Sequence, residues 1–275
     1  MTSIATPLSQ RRPVEARPAQ RTWIFALASI ATVVILAAGF FKLLTMVALD
    51  DYSVTATWSG AELAPVERAH LSNSAGHLEV TGGPDESVRV DVDVTDGLFR
   101  ADREEWIDGD TIRVHAACTL WFATHCRVDQ RVQVPAAMPL TVDARHGDVT
   151  LRDLSGSLRS DTGFGPLRLV GVTGEVVIRH EFGELHATDL RSPSARVTHR
   201  FGDRHLGFSA APSDVRLVVD FGTTVVEVPN DGSTYHVTGS SSFGHRSIEV
   251  RTDPNSERTI HVDSRFGDVT VRYTR

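Results

Sequence analysis

A short motif, Phe-Gly, returns at nearly regular intervals along the second half of this 275-residue chain, at glycines 18 to 23 residues apart. A fixed period in this range is typical of repeat architectures, in which each repeat packs mainly against its neighbours. The spacing therefore predicts a stack of similar units over residues 146–275. The corners of the predicted units are Gly147 (preceded by His146), Phe164-Gly165, Phe182-Gly183, Phe201-Gly202, Phe221-Gly222, Phe243-Gly244 and Phe266-Gly267.

Apolar and polar side chains alternate on both sides of each glycine. After Gly267, the apolar residues Val269 and Val271 lie at even offsets, whereas before it Val262 and Phe266 lie at odd offsets. Because successive side chains of a strand point to opposite faces, this change of parity predicts that the chain turns a corner at the glycine. A residue without Cβ permits both the turn and a close approach of stacked backbones.

The predicted fold class is all-β: a β-solenoid, built as a parallel β-helix or roll with coils of about 18–23 residues. Each coil would have one strand on either side of its corner, and coils would stack about 4.8 Å apart. The phenylalanines would then form a ladder inside the stack. A β-sandwich also alternates in this way, but it does not require identical corners on successive strand pairs, so the repeat favours the solenoid.

Residues 65–145 are rich in strand-like segments but lack the Phe-Gly period. Open ends of a repeat stack expose unpaired strand edges, so we interpret residues 65–145 as the N-terminal part that caps the solenoid. Residues 50–64 are interpreted as a linker.

An uncharged apolar run over residues 23–41 precedes this region. A helix rises about 1.5 Å per residue, so a run of this length crosses a hydrocarbon core of roughly 30 Å. We therefore predict a transmembrane helix over residues 23–49 and a disordered tail over residues 1–22. A cleavable signal peptide is the alternative, although its apolar region is usually shorter. Twin-arginine export, suggested by Arg11-Arg12, is disfavoured because the apolar run begins well downstream.

The flanking charges set the orientation. Arginines precede the apolar run and Asp50-Asp51 follow it, which predicts a cytoplasmic N-terminus and an extracellular C-terminal domain on a single-pass protein of the cell membrane. Residues 50–275 carry a formal charge of −11. Nucleic-acid binding needs clustered Lys and Arg, so a nucleic acid is not expected as a partner.

Several segments carry a resemblance to a known family: Val134-Pro135, Leu140-Thr141-Val142, residues 146–151 and residues 267–271. Over residues 65–275 the chain resembles the bacterial putative-adhesin family of unknown function. The resemblance implies a β-solenoid or roll that is often tethered by one N-terminal helix, and a location at the cell surface. Its motifs are structural rather than catalytic, and some relatives are similar to accessories of envelope-stress signalling.

The two cysteines, Cys118 and Cys126, lie on the side predicted to be exported, where oxidation is favoured. A disulfide between them is the expected state, with a gain of roughly 2–3 kcal/mol. Metal ligation together with His115 and His125 is an alternative, but the spacing matches no zinc pattern.

Two sets of residues share positions on successive coils. Glu181, Arg200 and Asp220 stand two residues before their glycines and should point outward as a surface ladder, either a ligand-binding stripe or solvated cross-strand ion pairs. His180 and His199 stand three residues before and should be neighbours, either as a pH-sensing pair or as a packed or partly exposed polar rung.

The acids Asp91, Asp93 and Asp96 lack the glycine-rich loop that wraps a calcium ion, so we interpret them as exposed strand acids. The sequence contains no phosphate-binding loop, no nucleophile elbow, no zinc-protease motif and no dinucleotide fingerprint. No catalytic, cofactor-binding or metal-binding residue is therefore assigned, and the chain is not expected to be an enzyme.

The leading hypothesis is thus a non-catalytic, adhesin-like surface protein that binds a protein or a cell-surface polysaccharide, or that assembles, through repeated contacts along its stacked faces. One alternative is an accessory that senses the state of the envelope and signals to a membrane partner. A carbohydrate-active enzyme is a third, because some parallel β-helices cleave polysaccharides.

Overall fold

The computed structural model describes residues 27, 29–40, 50–96, 101–118 and 126–274, and the chain divides into two compact units, Met1–Val47 and Ala48–Arg275. In the first unit, residues 29–40 are helical and their side chains are exposed. Among the residues described, no helix combines the length and the apolar character needed to cross a membrane. The predicted tail and much of the predicted membrane span, including residues 41–49, lie outside the described residues.

In the described residues of the second unit, the regular structure consists of strands and a single turn of 3-10 helix at Gly60–Glu62. The first seven strands are β1 (Asp50–Ser59), β2 (Arg68–Asn73), β3 (Leu78–Gly83), β4 (Ser87–Asp96), β5 (Asp102–Asp108), β6 (Thr111–Ala117) and β7 (Arg127–Pro135). The next ten are β8 (Leu140–His146), β9 (Val149–Arg152), β10 (Leu158–Phe164), β11 (Leu167–Val170), β12 (Val176–Phe182), β13 (Leu185–Leu190), β14 (Ser194–Phe201), β15 (Arg204–Phe208), β16 (Asp214–Phe221) and β17 (Thr224–Val228). The last five are β18 (His236–Thr238), β19 (Ser241–Phe243), β20 (Arg246–Glu249), β21 (Thr259–Phe266) and β22 (Val269–Tyr273).

The strands form two large sheets. Sheet 1 has the order β1-β4-β7-β3-β9-β11-β13-β15-β17-β22-β20, and sheet 2 has the order β18-β21-β16-β14-β12-β10-β8-β2-β6-β5, with β19 also paired to β21. From β8 to β17 the chain alternates between the sheets, so each sheet-2 strand is followed by a sheet-1 strand across a glycine. We call such a strand pair a coil.

Neighbouring coils pair in parallel and keep equivalent residues side by side. Phe182 lies beside Phe201 in sheet 2, and Leu167 lies beside Leu185 in sheet 1. This register places the same position of every coil in one row along the stack, as the sequence period requires.

The core lies between the two sheets. Along β12, for example, Val176 and Ile178 are buried and Arg179 is exposed, and β11 alternates in the same manner. Inward-facing residues of both sheets, among them Leu169 and Val197, belong to one continuous apolar cluster. Because alternate residues of each strand are buried, the pairing register is fixed: a shift by one residue would turn every apolar side chain to solvent.

The N-terminal part differs from the prediction. The segment interpreted as a linker, residues 50–64, contains β1, which pairs antiparallel with β4 along ten residues. Residues 65–145 do not only cap the stack, since β2 and β3 form a further coil with Gly76 between them. That coil lies between β6–β7 and β8–β9. It escaped the Phe-Gly search because its residue before the glycine is Ala75.

The C-terminal end also departs from simple sequential stacking. The last strands of the chain, β21 and β22, lie between β16–β17 and the strands β18–β20 that precede them in sequence. At the opposite end, the last strand of sheet 2 is β5, where Arg103 and Glu105 form an ion pair at 2.8 Å with little exposure of either side chain. Inward-pointing charges on a terminal strand are one way to discourage edge-to-edge association.

Candidate functional site

The aromatic residues before the corner glycines form a continuous row of stacked rings, which we call the aromatic ridge. Their spatial order is His146, Phe164, Phe182, Phe201, Phe221, Phe266 and Phe243. Centroids of neighbouring phenylalanine rings are 4.7 to 4.9 Å apart, with interplanar angles of 8° or less. His146 continues the row at 5.2 Å from Phe164. The ring spacing equals the spacing of the paired strands, so the backbone sets it.

The prediction that this ladder is internal is wrong. Phe164 is 48% exposed, Phe221 38%, Phe266 37% and Phe243 66%. Inward and outward side chains alternate along the strand only up to the position three residues before each glycine. At the glycine the chain turns. The aromatic side chain just before it therefore lies along the outside of the corner. The rings cover one another's faces while their edges remain in solvent.

The glycine corners explain why the aromatic rings are evenly spaced from coil to coil. Gly202 has a φ of 131°, in the region that side-chain-bearing residues avoid, and a Cβ there would overlap the carbonyl group of Gly183 in the next coil. Gly183, with a φ of 138°, meets the carbonyl group of Gly165 in the same way. The corners are therefore stacked as closely as the backbone allows, and the rings that precede them come into register.

Charged rows flank the ridge on both sides. The sheet-2 flank comprises the residues before the aromatic positions: Arg145, Gly163, Glu181, Arg200, Asp220, Arg265 and Ser242. The sheet-1 flank comprises the residues after the glycines: Asp148, Pro166, Glu184, Asp203, Thr223, Asp268 and His245. Some acids of the sheet-1 flank bind the neighbouring coil, since a carboxylate oxygen of Asp203 accepts the backbone N–H of Thr223 at 2.7 Å.

The predicted surface ladder Glu181, Arg200 and Asp220 lies within the sheet-2 flank. Glu181 and Arg200 approach to 3.8 Å, whereas Asp220 pairs at 3.2 Å with Arg265, which lies on its other side in the stack. These ion pairs are solvated, with about half of the Glu181 and Arg200 side chains exposed, so each contributes under about 1 kcal/mol.

His180 and His199 lie side by side in the interior, with ring centroids 4.6 Å apart. Both residues are almost fully buried, at 2% and 1% exposure. The hydroxyl of Thr162 lies 2.7 Å from Nδ1 of His180, and Nε2 of His199 lies 3.1 Å from the carbonyl oxygen of Phe201. The pair thus belongs to the core beneath the ridge rather than to a surface.

Burial determines the protonation of this pair. Loss of hydration lowers the pKa of His180 to about 4 and that of His199 to about 3. The positive charge of Arg204 and the neighbouring imidazole lower the pKa of His199 further. Both rings are therefore neutral in the folded protein near pH 7.

Arg204 is the polar residue that the sequence analysis missed. It stands two residues after Gly202, on an inward row occupied by Leu185 in the adjacent coil, and is only 2% exposed. Its Nη2 donates to the carbonyl oxygens of Gly202 and Phe221, while Nε and Nη1 have no hydrogen-bond partner among the described residues. Burial lowers its pKa to about 10. The alternation rule could have found it, because it places this arginine on an inward row that holds apolar residues in most other coils.

The structure places Cys118 and Cys126 in a disulfide, with Cα atoms 5.7 Å apart. The bond joins the end of β6 to the start of β7, at the level where other coils turn through a glycine. Both thiols are thereby occupied, so the alternative of metal ligation by these cysteines is not supported. Across the described part of the chain, no group of three or more His, Cys, Asp or Glu side chains is arranged to hold a metal ion.

The acidic strand residues are held in ordinary surface interactions. Asp91 accepts hydrogen bonds from Thr55 and Arg89, which lower its pKa, and Asp93 pairs with Arg131 at 2.8 Å. A side-chain site for calcium is therefore not formed by these two residues, and the side chain of Asp96 lies outside the described residues.

One groove adjoins the ridge, with a volume of about 650 Å³. It opens on the outer face of sheet 2 at the His146 end, and its lining includes Asp143, Asp161, Glu181 and Phe164. Asp143 is engaged by Nε2 of His70 at 2.6 Å. The groove therefore combines ring edges with carboxylates, beside the disulfide.

Comparisons with known proteins identify no family for this chain: no family model matches it, and no curated protein does. Among solved structures, a putative cell adhesion protein from Clostridium sporogenes ATCC 15579 is 9% identical, with 82% of this chain and 100% of that chain covered, at a TM-score of 0.36. A putative adhesin from Bacteroides fragilis NCTC 9343 is 11% identical over 81% of this chain and 97% of that chain, at 0.39. A putative lipid binding protein from Parabacteroides distasonis ATCC 8503 is 9% identical over 81% and 97%, at 0.35. At these scores the likeness identifies neither the fold nor the function.

Proposed function

We propose that this chain is a non-catalytic, adhesin-like surface protein, anchored by one N-terminal helix, whose extracellular domain is a β-solenoid used for binding or assembly. Two features support the solenoid. Coils from β8 to β17 follow one another in parallel with residue-for-residue register. Their corner glycines also approach at each level of the stack.

The aromatic ridge is the observation that carries the proposed binding role. Apolar side chains exposed together in one strip usually mark an interaction surface on a soluble domain. Here the exposed ring edges belong to successive coils whose backbones fix their spacing, so little conformational entropy is lost when a partner covers them. Repetition also allows several weak contacts to act together.

The membrane anchor rests on the uncharged run over residues 23–41 and on its flanking charges. In this arrangement the second unit lies outside the cell. Its acidic character agrees with a location away from nucleic acids. A cell-surface protein or polysaccharide is the expected ligand.

Two measurements on cells expressing the full chain test the proposal. Protease added to intact cells should degrade the C-terminal domain, and cells carrying the chain should clump or be retained on immobilised cell-wall polysaccharide. The double variant Phe164→Ser and Phe243→Ser should weaken this adherence while its surface level remains unchanged. Protection from protease contradicts the proposed location, and a surface-exposed chain that supports no adherence contradicts the proposed role.

The same panel separates binding from catalysis. We expect the cell-wall polysaccharides to be recovered intact after incubation with the full chain. Release of shorter fragments above a heat-inactivated control would contradict the non-catalytic assignment, and the carboxylates Asp143 and Asp161 of the groove would be the first residues to replace.

A further inference from the structure

The rims of the stacked rings restrict what can cover the aromatic ridge. Stacking occupies the ring faces from Phe164 to Phe266, so along this part only C–H edges reach solvent. Organic cations bind aromatic faces rather than edges, and along this part stacking covers the faces. An apolar strip of the same shape, with charges at matching positions on its flanks, fits the ridge better.

The flanks repeat a charge pattern at three levels of the stack. Arg145–Asp148, Arg200–Asp203 and Arg265–Asp268 each read Arg, aromatic residue, Gly, Asp. In all three, the arginine lies on the sheet-2 flank and the aspartate lies at the same level on the sheet-1 flank. The three arginines are exposed, as are Asp203 and Asp268, and the Asp148 side chain is 42% exposed.

This pattern is self-complementary under one symmetry operation. A two-fold axis parallel to the ridge brings the sheet-1 flank of one copy against the sheet-2 flank of the other, with equal levels facing each other. Each aspartate of the three motifs then faces the arginine of the second copy, and the reverse contact forms across the axis. A two-fold axis perpendicular to the ridge would instead set the acidic sheet-1 flank against itself.

We propose that the aromatic ridge is the interface between two copies of this chain, arranged side by side with parallel stacks. The rims of the two ridges meet along the axis, and up to six Asp–Arg contacts form around them. This pairing goes beyond the proposed function, because it names the partner of the ridge and requires no external ligand.

Within the described part of the chain, four of the six side chains are not in a close ion pair. The other two, Arg265 and Asp148, lie 3.2 Å from Asp220 and 3.3 Å from His77, and they would exchange these partners for the second copy. Asp203 and Asp268 each use one carboxylate oxygen to accept a backbone N–H, from Thr223 and His245 respectively, both at 2.7 Å. Arg200 lies 3.8 Å from Glu181, longer than a good hydrogen bond. At one level the pairing is unfavourable, because Glu181 of one copy would face Glu184 of the other.

The size of the ridge determines how tightly two copies should bind each other. Six ring spacings of 4.7 to 5.2 Å give a strip roughly 29 Å long and a few side chains wide. Such a strip buries less surface than a stable dimer usually does, so the pair should be weak and dependent on concentration. Its Asp–Arg contacts should therefore determine which charge variants of the chain pair with each other.

Two charge variants test the proposal. The acidic variant carries Arg200→Asp and Arg265→Asp, which places an aspartate on both flanks at these two levels. The basic variant carries Asp203→Arg and Asp268→Arg, which places an arginine on both flanks at the same two levels. Full chains with two different affinity tags are produced in the same cells, cross-linked briefly and purified through one tag. We expect recovery of the second tag to fall at least about five-fold for acidic–acidic and basic–basic pairs, and to return for the acidic–basic pair.

The mixed pair also serves as the folding control, because its recovery requires both variants to be folded. The double variant Arg159→Asp and Arg216→Asp makes the same change of charge on exposed positions of sheet 2 away from the ridge, and it should pair like the unmodified chain. Background recovery of the unmodified pair overturns the proposal, as does an acidic–basic pair recovered no better than the like-charged pairs. If the unmodified chain pairs with itself but gives cells no adherence, that result counts against the proposed function alone.

Discussion

Phe221 stacks on Phe266, 45 residues further along the chain, at a centroid distance of 4.8 Å, and not on Phe243, the next aromatic residue of the repeat. The ridge is therefore continuous in space although the chain does not visit its levels in order. Continuity depends on the backbone register of β16 with β21, in which these two phenylalanines are direct neighbours.

Removal of one ring from the ridge should lower the free energy of unfolding less than removal of a ring from the core. We expect Phe201→Ala to lower the free energy of unfolding by about 2 kcal/mol, because the ring is partly exposed and loses mainly stacking contacts. Phe208→Ala, at a position only 1% exposed, should cost about 3–5 kcal/mol. Urea unfolding of the full chain measures both. Equal losses would mean that the ridge is covered in solution.

The corner glycines should tolerate no side chain. Gly202→Ala combines an unfavourable φ with overlap of the Gly183 carbonyl group, so we expect a loss of more than about 3 kcal/mol or failure to fold. Gly232→Ala is the matched control, since Gly232 also has a positive φ, 89°, but a Cβ there meets nothing within 4 Å. It should cost about 1–2 kcal/mol. Similar melting temperatures for the two variants would contradict the close stacking of corners.

Acid should destabilise the protein through His180 and His199. Their pKa values in the folded state, about 4 and about 3, lie below the unfolded value of 6.5, so between these values the unfolded chain binds protons that the folded chain does not. Stability is then full above pH 6.5 and falls as the pH is lowered, by about 2 kcal/mol per histidine at pH 5. Urea titrations at pH 7.5 and pH 5 measure the difference.

A double variant assigns that pH dependence. His180→Thr with His199→Thr follows the residue found at the same inward position in the preceding coil, Thr162. It should unfold at nearly the same urea concentration at both pH values. A slope as steep as that of the unmodified chain would show that other groups cause the acid sensitivity.

Arg204 should be replaceable by an apolar residue. Burying a guanidinium without an opposite charge is unfavourable, and leucine already occupies the equivalent position at Leu185. We expect Arg204→Leu to unfold within about 1 kcal/mol of the unmodified chain or to be more stable. The same change should raise the pKa of His199, measurable by NMR titration, because the positive charge nearby is removed. A loss above about 3 kcal/mol would show that its bonds to the corner carbonyl groups outweigh its burial.

The sequence was sufficient to predict the coils from β8 to β17, because each contains its own corner and its own alternation. Phe182 and Phe201 could be placed side by side from spacing alone. The parity rule also put Arg200 outside, as the structure does. Spacing made His180 and His199 neighbours, and their burial became evident only in the structure. These are local properties of each repeat, and neighbouring repeats impose the same geometry on one another.

Properties that depend on several coils could not be predicted from one repeat. The exposure of Phe164 arises from the direction in which the chain leaves β10 at the corner, which periodicity does not specify. The coil at Gly76 lacks an aromatic residue before its glycine, and the neighbouring strands β6 and β7 are joined by a disulfide rather than by a glycine. The placement of β21–β22 between β16–β17 and β18–β20 is a pairing of segments distant in sequence, which the pattern of one repeat does not specify.

That placement has a consequence for synthesis. Among the described strands, β18, β19 and β20 pair with β21 and β22 alone, so they cannot dock until β21 and β22 have been made. Until β21 and β22 have been made, the chain can assemble as far as β17 and must hold the segment between Val228 and Thr259 unpaired. A chain that stops before Thr259 would leave the growing face at β16 and β17 uncovered, with the ring of Phe221 as its last aromatic level.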